Sequence, residues 1–333
     1  GRKGRKGLGV SRKGGGGRFC DAPGVRKNVS TREELEMMAA KLAAHPDYRV
    51  LRRLDTTHQR PALHGPTVRR AAIVDTETTG TDPTTDKVIE LALVVFEYCH
   101  ATGTVGRVLD TYDALEDPGM PIPPSSTAIH GITDAMVVGQ RIDDARVSRL
   151  LESVGIVIAH NAGFDRKFLE PRLPVFANLP WGCSWLEVPW SEAGIASSKL
   201  EYLAYRHGFF YDGHRAEVDC HALLEVLAQP FGESGGTALK SLLDSARSPS
   251  FRLWANNSPF ETKDVLKKRG YWWDAGRRSW SVEVRSQEAV QQDLAWLCEA
   301  VYAGKNVELD LDEFDAKNRY STREGRRTKL RTK

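Results

Sequence analysis

Runs of apolar residues separated by polar turns dominate the middle of the chain. We predict buried strands there at residues 71–76, 88–96, 104–112 and 155–160. Three helices are predicted after the fourth strand, starting at Phe164, at about 198–207 and at 216–228. Strands that come first and then alternate with helices indicate an α/β fold, in which helices pack against a mixed sheet.

Two further regions flank this α/β core. On its N-terminal side, "STREELEMMAAKLAAH" predicts an amphipathic helix capped by Ser30 or Thr31. Beyond a boundary near "RSPS" at 247–250, the pattern predicts strand, helix, turn, strand and a last helix, which makes a small α+β domain. The predicted regions are a disordered basic tail at 1–30, a helix and linker at 31–70, the α/β domain at 71–232, the α+β accessory domain at 250–312 and a basic tail at 313–333.

Composition excludes several protein classes. The chain has 333 residues, of which 41% are hydrophobic and 27% charged, as in an ordinary globular protein of about two domains. No apolar run approaches the roughly 18 residues of a membrane span, and the basic N-terminus lacks the apolar stretch of a signal peptide. The five cysteines are scattered without a C-x-x-C pair, which argues against a disulfide framework or a zinc knuckle. We therefore expect a cytoplasmic protein with no membrane partner.

Charge is distributed unevenly along the chain. Residues 1–30 hold nine Lys or Arg against one acid, and residues 316–333 hold eight against one, so the body at 31–315 carries a net charge of −12. A basic, glycine-rich tail cannot bury apolar surface. Such tails contact phosphates without regard to sequence, or are simply solvated, and composition does not separate these two interpretations.

Four carboxylates and one histidine lie at the ends of predicted core elements. In "IVDTETTGTD", Asp75 and Glu77 project from the same face of a strand. Asp165 follows the strand at 155–160, Asp219 lies in the helix at 216–228, and His214 precedes that helix. Clustered acids repel one another unless they are protonated or bridged by cations.

Hard divalent cations would resolve this repulsion. Mg²⁺ and Mn²⁺ prefer carboxylate and water oxygens, and two such ions can assist an in-line phosphoryl displacement. In this hypothesis Asp75 bridges both ions, Glu77 and Asp219 bind one of them, and Asp165 acts through water. His214 would take a proton from the attacking water, because a histidine titrates near neutral pH.

Three motifs in order resemble those of the DEDDh exonucleases: "DTETTG", "HNAGFD" and the H-x4-D spacing from His214 to Asp219. This family includes the proofreading epsilon subunit of bacterial DNA polymerase III and ribonuclease T. The resemblance covers about residues 71–230 and extends to "PIPPSSTAIHGITDAMV". It implies a ribonuclease H-like exonuclease fold, 3′ to 5′ activity on nucleic acid and two Mg²⁺ or Mn²⁺ ions.

The resemblance also implies a role for individual residues. Carried over by position, the catalytic residues are Asp75, Glu77, Asp165, Asp219 and His214, with the four acids as metal ligands. Further candidates for substrate binding are Thr78, Thr79, Gly80, Asn161 and His160. His160 could equally be a hydrogen-bonded structural residue. Glu90, an acid inside a predicted buried strand, could support the site or face water at an edge.

The accessory domain mixes basic and aromatic residues in "KKRGYWWDAGRRSWSVEV". Proteins that bind single-stranded nucleic acid combine such residues to stack bases and follow phosphates, and the segment faintly resembles the HARP module of annealing helicases. Trp272, Arg277 and Arg278 are therefore candidate nucleic-acid contacts. The alternative is that the tryptophans form the core of a small domain.

We interpret the chain as a stand-alone bacterial 3′ to 5′ exonuclease that acts on a free 3′ end of single-stranded DNA or RNA, in DNA repair or replication. DNA is favoured over RNA. The alternatives are an RNA-trimming oligoribonuclease and a nucleic-acid-binding module without turnover. Ribonuclease T-like relatives dimerise, so the resemblance leaves a homodimer open.

Overall fold

The computed structural model describes residues 31–232 and 235–332. The chain divides into two compact units, Gly1–Val50 and Leu51–Lys333. The predicted disordered tail at 1–30 lies outside the described residues. Within the described part of the chain, no helix is long and apolar enough to cross a membrane.

The secondary structure follows the predicted order. The strands are β1 Arg52–Arg53, β2 Val68–Thr78, β3 Val88–Cys99, β4 Val105–Leu115, β5 Ile156–Ala159, β6 Trp181–Cys183, β7 Phe209–Phe210, β8 Pro230–Phe231, β9 Gly236–Thr237, β10 Ser250–Ala255, β11 Trp272–Asp274, β12 Ser279–Val284, β13 Glu308–Phe314 and β14 Arg326–Arg331. The α-helices are α1 Arg32–Ala43, α2 Pro124–His130, α3 Asp134–Val137, α4 Asp144–Leu151, α5 Ala162–Arg172, α6 Ser184–Glu187, α7 Leu200–Arg206, α8 Ala216–Ala228, α9 Ala238–Arg247, α10 Lys263–Arg269 and α11 Gln287–Ala300.

The described part of the first unit contains α1. Thr31 caps this helix in a reciprocal box, since its hydroxyl accepts from the Glu34 amide at 3.2 Å while the Glu34 carboxylate accepts from the Thr31 amide at 2.8 Å. No residue of α1 is buried. The predicted helix and its cap are therefore confirmed, but its apolar residues lie exposed.

The first sheet of the second unit has the strand order β4-β3-β2-β5-β6. β2, β3 and β4 are antiparallel, whereas β5 and β6 run parallel to β2. Alternate residues of β2 enter two different apolar cores, Ala71 and Ile73 on one face and Ala72 and Val74 on the other. A mixed sheet with helices on both faces is the predicted ribonuclease H-like fold.

The second sheet has the order β11-β12-β10-β13-β14, and all its pairs are antiparallel. Its apolar face packs with residues of α10 and α11. The predicted boundary at 312 falls inside β13, and β14 lies within the predicted basic tail at 313–333. That segment is therefore an edge strand, because its basic side chains pair with the acidic side chains of β13, as in Arg326 with Glu313 and Lys329 with Glu308.

A buried polar network joins the two sheets' domains. The Glu187 carboxylate, at the end of α6, is fully buried and accepts hydrogen bonds from Arg319, from Arg285 at 3.1 Å and from the Tyr320 hydroxyl at 3.0 Å. From α5, the buried Arg166 donates to the backbone carbonyls of residues 316, 317 and 319. The C-terminal domain is thus attached to the α/β domain through charged groups shielded from water.

Glu187→Gln should lower the free energy of unfolding by about 3 kcal/mol or more, because it leaves the buried Arg319 guanidinium without its counter-charge. Chemical denaturation would measure the loss. Glu308→Gln is the matched control, since its exposed pair with Lys329 contributes about 1 kcal/mol or less. Equal losses for both variants would show that the Glu187 network does not hold the domains together.

Candidate active site

Three of the predicted acids meet at the carboxyl end of the central strand. Asp75 and Glu77 continue the Ala71 and Ile73 face of β2, and α8 packs against that face and brings Asp219 to them. One ligand oxygen from each of the three carboxylates lies within 4.8 Å of the other two. This cluster can hold a metal ion.

Asp165, the fourth predicted acid, reaches this end of β2 from the other face of the sheet. It lies buried on α5 and accepts a hydrogen bond from the Thr76 hydroxyl at 2.9 Å. Thr76 stands between Asp75 and Glu77, so strand alternation directs it away from their face and toward α5. Thr76 thereby fastens Asp165 next to the acidic cluster, a role that the sequence analysis did not assign.

The four acids are largely shielded from water, and their charges repel one another. Burial first, and then the charges of Asp165 and Asp219, hold the pKa of Asp75 well above its usual range. Burial and Asp219 raise the pKa of Glu77 to about 8. Burial raises the pKa of Asp165 to about 7 and that of Asp219 to about 6. Such shifts mark a site that favours a bound cation or proton.

The donor set fits a hard divalent cation. The three clustered groups offer only carboxylate oxygens, which suit Mg²⁺ and Mn²⁺. The cluster contains no thiolate or imidazole ligand of the kind typical of zinc sites. The predicted bridging of two ions by Asp75 stays a prediction.

His214 lies on the loop directly before α8 and is exposed. Its backbone is in the left-handed region, with φ of 63°, which is uncommon outside glycine. The Asp219 carboxylate accepts a hydrogen bond from the Arg215 amide at 3.1 Å, so the turn that carries His214 is tied to a cluster acid. The H-x4-D spacing therefore places the histidine beside Asp219.

Glu90 is a fully buried partner of this turn, and the interpretation as a water-facing edge residue is wrong. Its carboxylate accepts from Arg215 at 2.8 and 3.1 Å and from the Ala216 amide at 3.0 Å. Since Glu90 pairs with Glu77 across β2 and β3, it ties the start of α8 to the sheet beside the acids. Sequence reasoning missed Arg215, although it directly follows the histidine.

Thr78 is the last residue of β2, and the chain turns there through Thr79 and Gly80. The Thr78 hydroxyl donates to the Gly80 carbonyl at 2.5 Å, and the Thr79 hydroxyl accepts from the Lys87 amide at 3.0 Å. A Cβ on Gly80 would lie 2.5 Å from the Asp86 carboxylate, so a larger residue there would displace the Asp86 side chain. A β-bulge between Glu77 and Thr78 bends the strand into this turn. The predicted substrate contacts of these residues stay a prediction.

His160 and Asn161 lie between β5 and α5. The His160 ring shares a hydrogen bond with the Ser184 hydroxyl at 2.8 Å, and burial lowers its pKa to about 4, so the ring is neutral. Its Nε2 is buried without a hydrogen-bond partner in the described part of the chain. Asn161 is exposed, and its carbonyl accepts from the Phe164 amide at 2.7 Å at the start of α5. Substrate binding by either residue stays a prediction.

Of the three predicted nucleic-acid contacts in the accessory domain, two lie at one cavity and the third does not. Trp272 is 41% exposed on β11, and Arg277 lies 4.1 Å from the ring centroid of Trp254. Both line the same cavity. Arg278 lies at the hairpin turn in a left-handed conformation, with φ of 50°, and is not among the residues that line this cavity.

The comparisons with known proteins concern the α/β domain. The exonuclease family model RNase_T matches residues 72–227. The chain is 42% identical over 102 residues to a DNA polymerase III subunit epsilon-like protein of Rhodobacter capsulatus, a match that covers 29% of this chain and 14% of that protein. It is 29% identical over 164 residues to the DNA polymerase III subunit epsilon of Treponema pallidum, covering 46% of this chain and 72% of that subunit.

Two solved structures are similar to the same region. One is exonuclease X in complex with 5′ overhanging duplex DNA, at 23% identity and a TM-score of 0.38, covering 51% of this chain and 99% of that chain. Another is the nuclease domain of 3′hExo, a DEDDh family member, bound to rAMP, at 18% identity and a TM-score of 0.38, covering 48% and 90%. The strand order β4-β3-β2-β5-β6 by itself defines the fold of the α/β domain.

The α/β domain is thus a ribonuclease H-like domain with an acidic cluster at the end of its central strand. Residues 72–227 match the exonuclease family model, and the acids and histidine within them follow the DEDDh pattern. The matches span 14% of the Rhodobacter capsulatus protein and 11% of a PolC-type DNA polymerase III of Clostridium perfringens, so they concern a domain of those longer proteins.

Mn²⁺ should stabilise the protein at pH 8. Because the cluster carboxyls bind protons more tightly in the folded than in the unfolded chain, their contribution to stability is lost as pH rises from about 4 through about 8. We expect a lower melting temperature at pH 8 than at pH 6 without cations. Mn²⁺ at 100 times its Kd should restore about 2.7 kcal/mol, a rise of about 5 °C or more by calorimetry.

Asp75→Asn should raise the melting temperature at pH 8 without cations, because it removes one repelling charge, and should reduce the effect of Mn²⁺. Asp110→Asn, on the exposed side of β4, is the matched control and should leave the Mn²⁺ effect unchanged. An unchanged melting temperature of the parent protein with Mn²⁺ at pH 8 would contradict a metal site at this cluster.

Proposed function

We propose that this protein is a 3′ to 5′ exonuclease that hydrolyses the terminal phosphodiester bond of nucleic acid, with DNA as its favoured substrate. The observation that carries the proposal is the convergence of Asp75, Glu77 and Asp219 within 4.8 Å in a domain of the exonuclease family. A domain that only binds nucleic acid has no use for buried acids that repel one another.

The chain's own residues divide the work of hydrolysis. His214, exposed beside Asp219, accepts a proton from the water that attacks the terminal phosphorus. The new bond joins the water oxygen to phosphorus, the bond to the 3′ oxygen of the preceding nucleotide breaks, and that oxygen takes up a proton from solvent. The products are a 5′ mononucleotide and a chain shortened by one unit with a free 3′ hydroxyl.

The four acids prepare the site for this reaction. Asp75, Glu77 and Asp219 would hold Mg²⁺ or Mn²⁺, with Asp165 at the edge of the cluster where Thr76 keeps it in place. Two bound ions would supply charge stabilisation for the attacking and leaving oxygens. The Thr78–Gly80 turn and the loop of His160 and Asn161 border the same end of the sheet, and we assign the terminal nucleotide to the space between them.

Asp75→Asn and His214→Ala should each lower the rate of mononucleotide release from labelled single-stranded DNA in Mn²⁺, the histidine variant by about 10²- to 10⁴-fold. Labels at the 5′ and 3′ ends, read on sequencing gels, establish polarity, and matched DNA, RNA and duplex ends establish preference. Asp110→Asn should retain the parent's rate. Turnover in a chelator, or turnover unaffected by both changes, would refute the mechanism.

Glu90 should act as a positioning residue for His214. Glu90→Gln keeps the size of the side chain but removes the charge that holds Arg215, and we expect kcat to fall about tenfold or more while KM for a short oligonucleotide stays unchanged. Glu97→Gln is the matched control, because Glu97 is another buried acid of β3 with an arginine partner, Arg107. A loss of thermal stability without a loss of kcat would assign Glu90 a purely structural role.

A further inference from the structure

The second sheet has two chemically different faces. Strand alternation turns apolar side chains such as Leu253 and Leu311 into the core with α10 and α11. The opposite face carries the side chains of Arg252, Trp254, Trp272, Asp312, Phe314 and Arg327. These side chains line a cavity of about 390 Å³, which is within the ordinary size range of ligand sites.

Arginine guanidinium groups pack against tryptophan rings in this cavity. The Arg252 guanidinium lies 5.4 Å from the ring centroid of Trp272 and 5.8 Å from that of Trp254, and the two rings meet edge to face at 6.3 Å. Trp254 is only 2% exposed, whereas Trp272 is 41% exposed. Trp254 is therefore the floor of the cavity, and Trp272 is its accessible aromatic ring.

Positive charge exceeds negative charge around the cavity, with six Lys or Arg side chains against four Asp or Glu. Several arginines pair with acids, as Arg252 does with Glu283 and Arg327 with Asp312. These pairs hold the guanidinium groups in place, and each guanidinium has five N–H donors, so donors remain for a further acceptor. Lys167, exposed on α5, adds a cation at the rim.

The cavity lies across α5 from the acidic cluster. Asp165 faces the acids, and Lys167 is two residues further along the helix, which places it about 200° around the axis. A nucleotide in the cavity is therefore not the one that is cleaved. A strand that occupies both places must pass around α5 and needs several nucleotides.

We infer that this cavity is a second binding site for single-stranded nucleic acid, a few nucleotides away from the cleaved end. Trp272 stacks on a base, while Arg252 and Lys167 contact phosphates. The aromatic ring and the excess of cations are complementary to a base and its phosphate, and an apolar protein partner would leave these charges unpaired. The inference rests on the proposed function only for the position of this site relative to the cleaved end.

The test measures binding separately from cleavage. The full chain with Asp75→Asn, in a chelator, is titrated into fluorescein-labelled oligothymidylate of about 20 nucleotides, longer than the roughly 4 to 16 nucleotides of typical single-strand sites. When Trp272→Ala is combined with Asp75→Asn, the affinity for the oligonucleotide should fall about tenfold. Trp273→Ala is the matched control, because Trp273 is the next residue of β11, points to the other face and is 48% exposed; it should not change the Kd.

A second pair of variants tests the phosphate contact. Lys167→Glu should reduce the slope of log affinity against log salt by about 0.7, the value for one phosphate on a single strand. Lys268→Glu changes an exposed residue of α10 and should leave the slope unchanged. With Asp75 intact, Trp272→Ala should reduce kcat/KM on the long strand about tenfold and leave hydrolysis of a dinucleotide unchanged.

The outcomes separate this inference from the proposed function. If the parent does not bind the oligonucleotide, or if Trp272→Ala and Trp273→Ala weaken binding equally while both variants melt at the parent's temperature, the second site is refuted. If Trp272→Ala alone weakens binding but the protein with Asp75 intact releases no nucleotide with Mg²⁺ or Mn²⁺, the second site is supported and the proposed function is refuted.

Discussion

Carboxylates at the carboxyl end of β2 repel one another, and the surrounding structure is arranged to keep them together. Asp75 and Glu77 lie on the central strand β2, which pairs with β3 along both acids and with β5 up to Ile73. Asp165 is held by Thr76, and Asp219 by the Arg215 amide directly before α8. Each of these contacts offsets a part of the repulsion between the carboxylates. A bound cation would remove this repulsion, so the arrangement favours cation binding.

Much of this site could be predicted from local sequence. The two-residue period of a strand puts Asp75 and Glu77 together, and the apolar runs around Asp165 and Asp219 place both acids at the ends of core elements. The same period could have identified Thr76, which lies between the two acids. It could not identify Glu90 as the partner of Arg215, because that pair joins residues 125 apart and depends on how α8 packs against the sheet.

The C-terminal segment shows where composition misleads. "RRTKLR" has the charge of a solvated tail, yet it forms β14 because β13, "ELDLDEF", presents acids at matching positions. Cross-strand pairs such as Asp312 with Arg327 offset the like-charge repulsion within each strand. A segment's own composition therefore predicts disorder only when no complementary strand lies elsewhere in the chain.

Polar contacts also determine how the two sheets' domains meet. An apolar interface tolerates sliding, whereas the directional hydrogen bonds of Glu187 and Arg166 are satisfied in one arrangement only, and each would be costly to leave unpaired. Arg166 directly follows Asp165 on α5. The helix that carries a cluster acid is thus the helix to which the C-terminal domain is bonded, so the distance between the acids and the cavity beside Trp272 is set by the same contacts that hold the domains together.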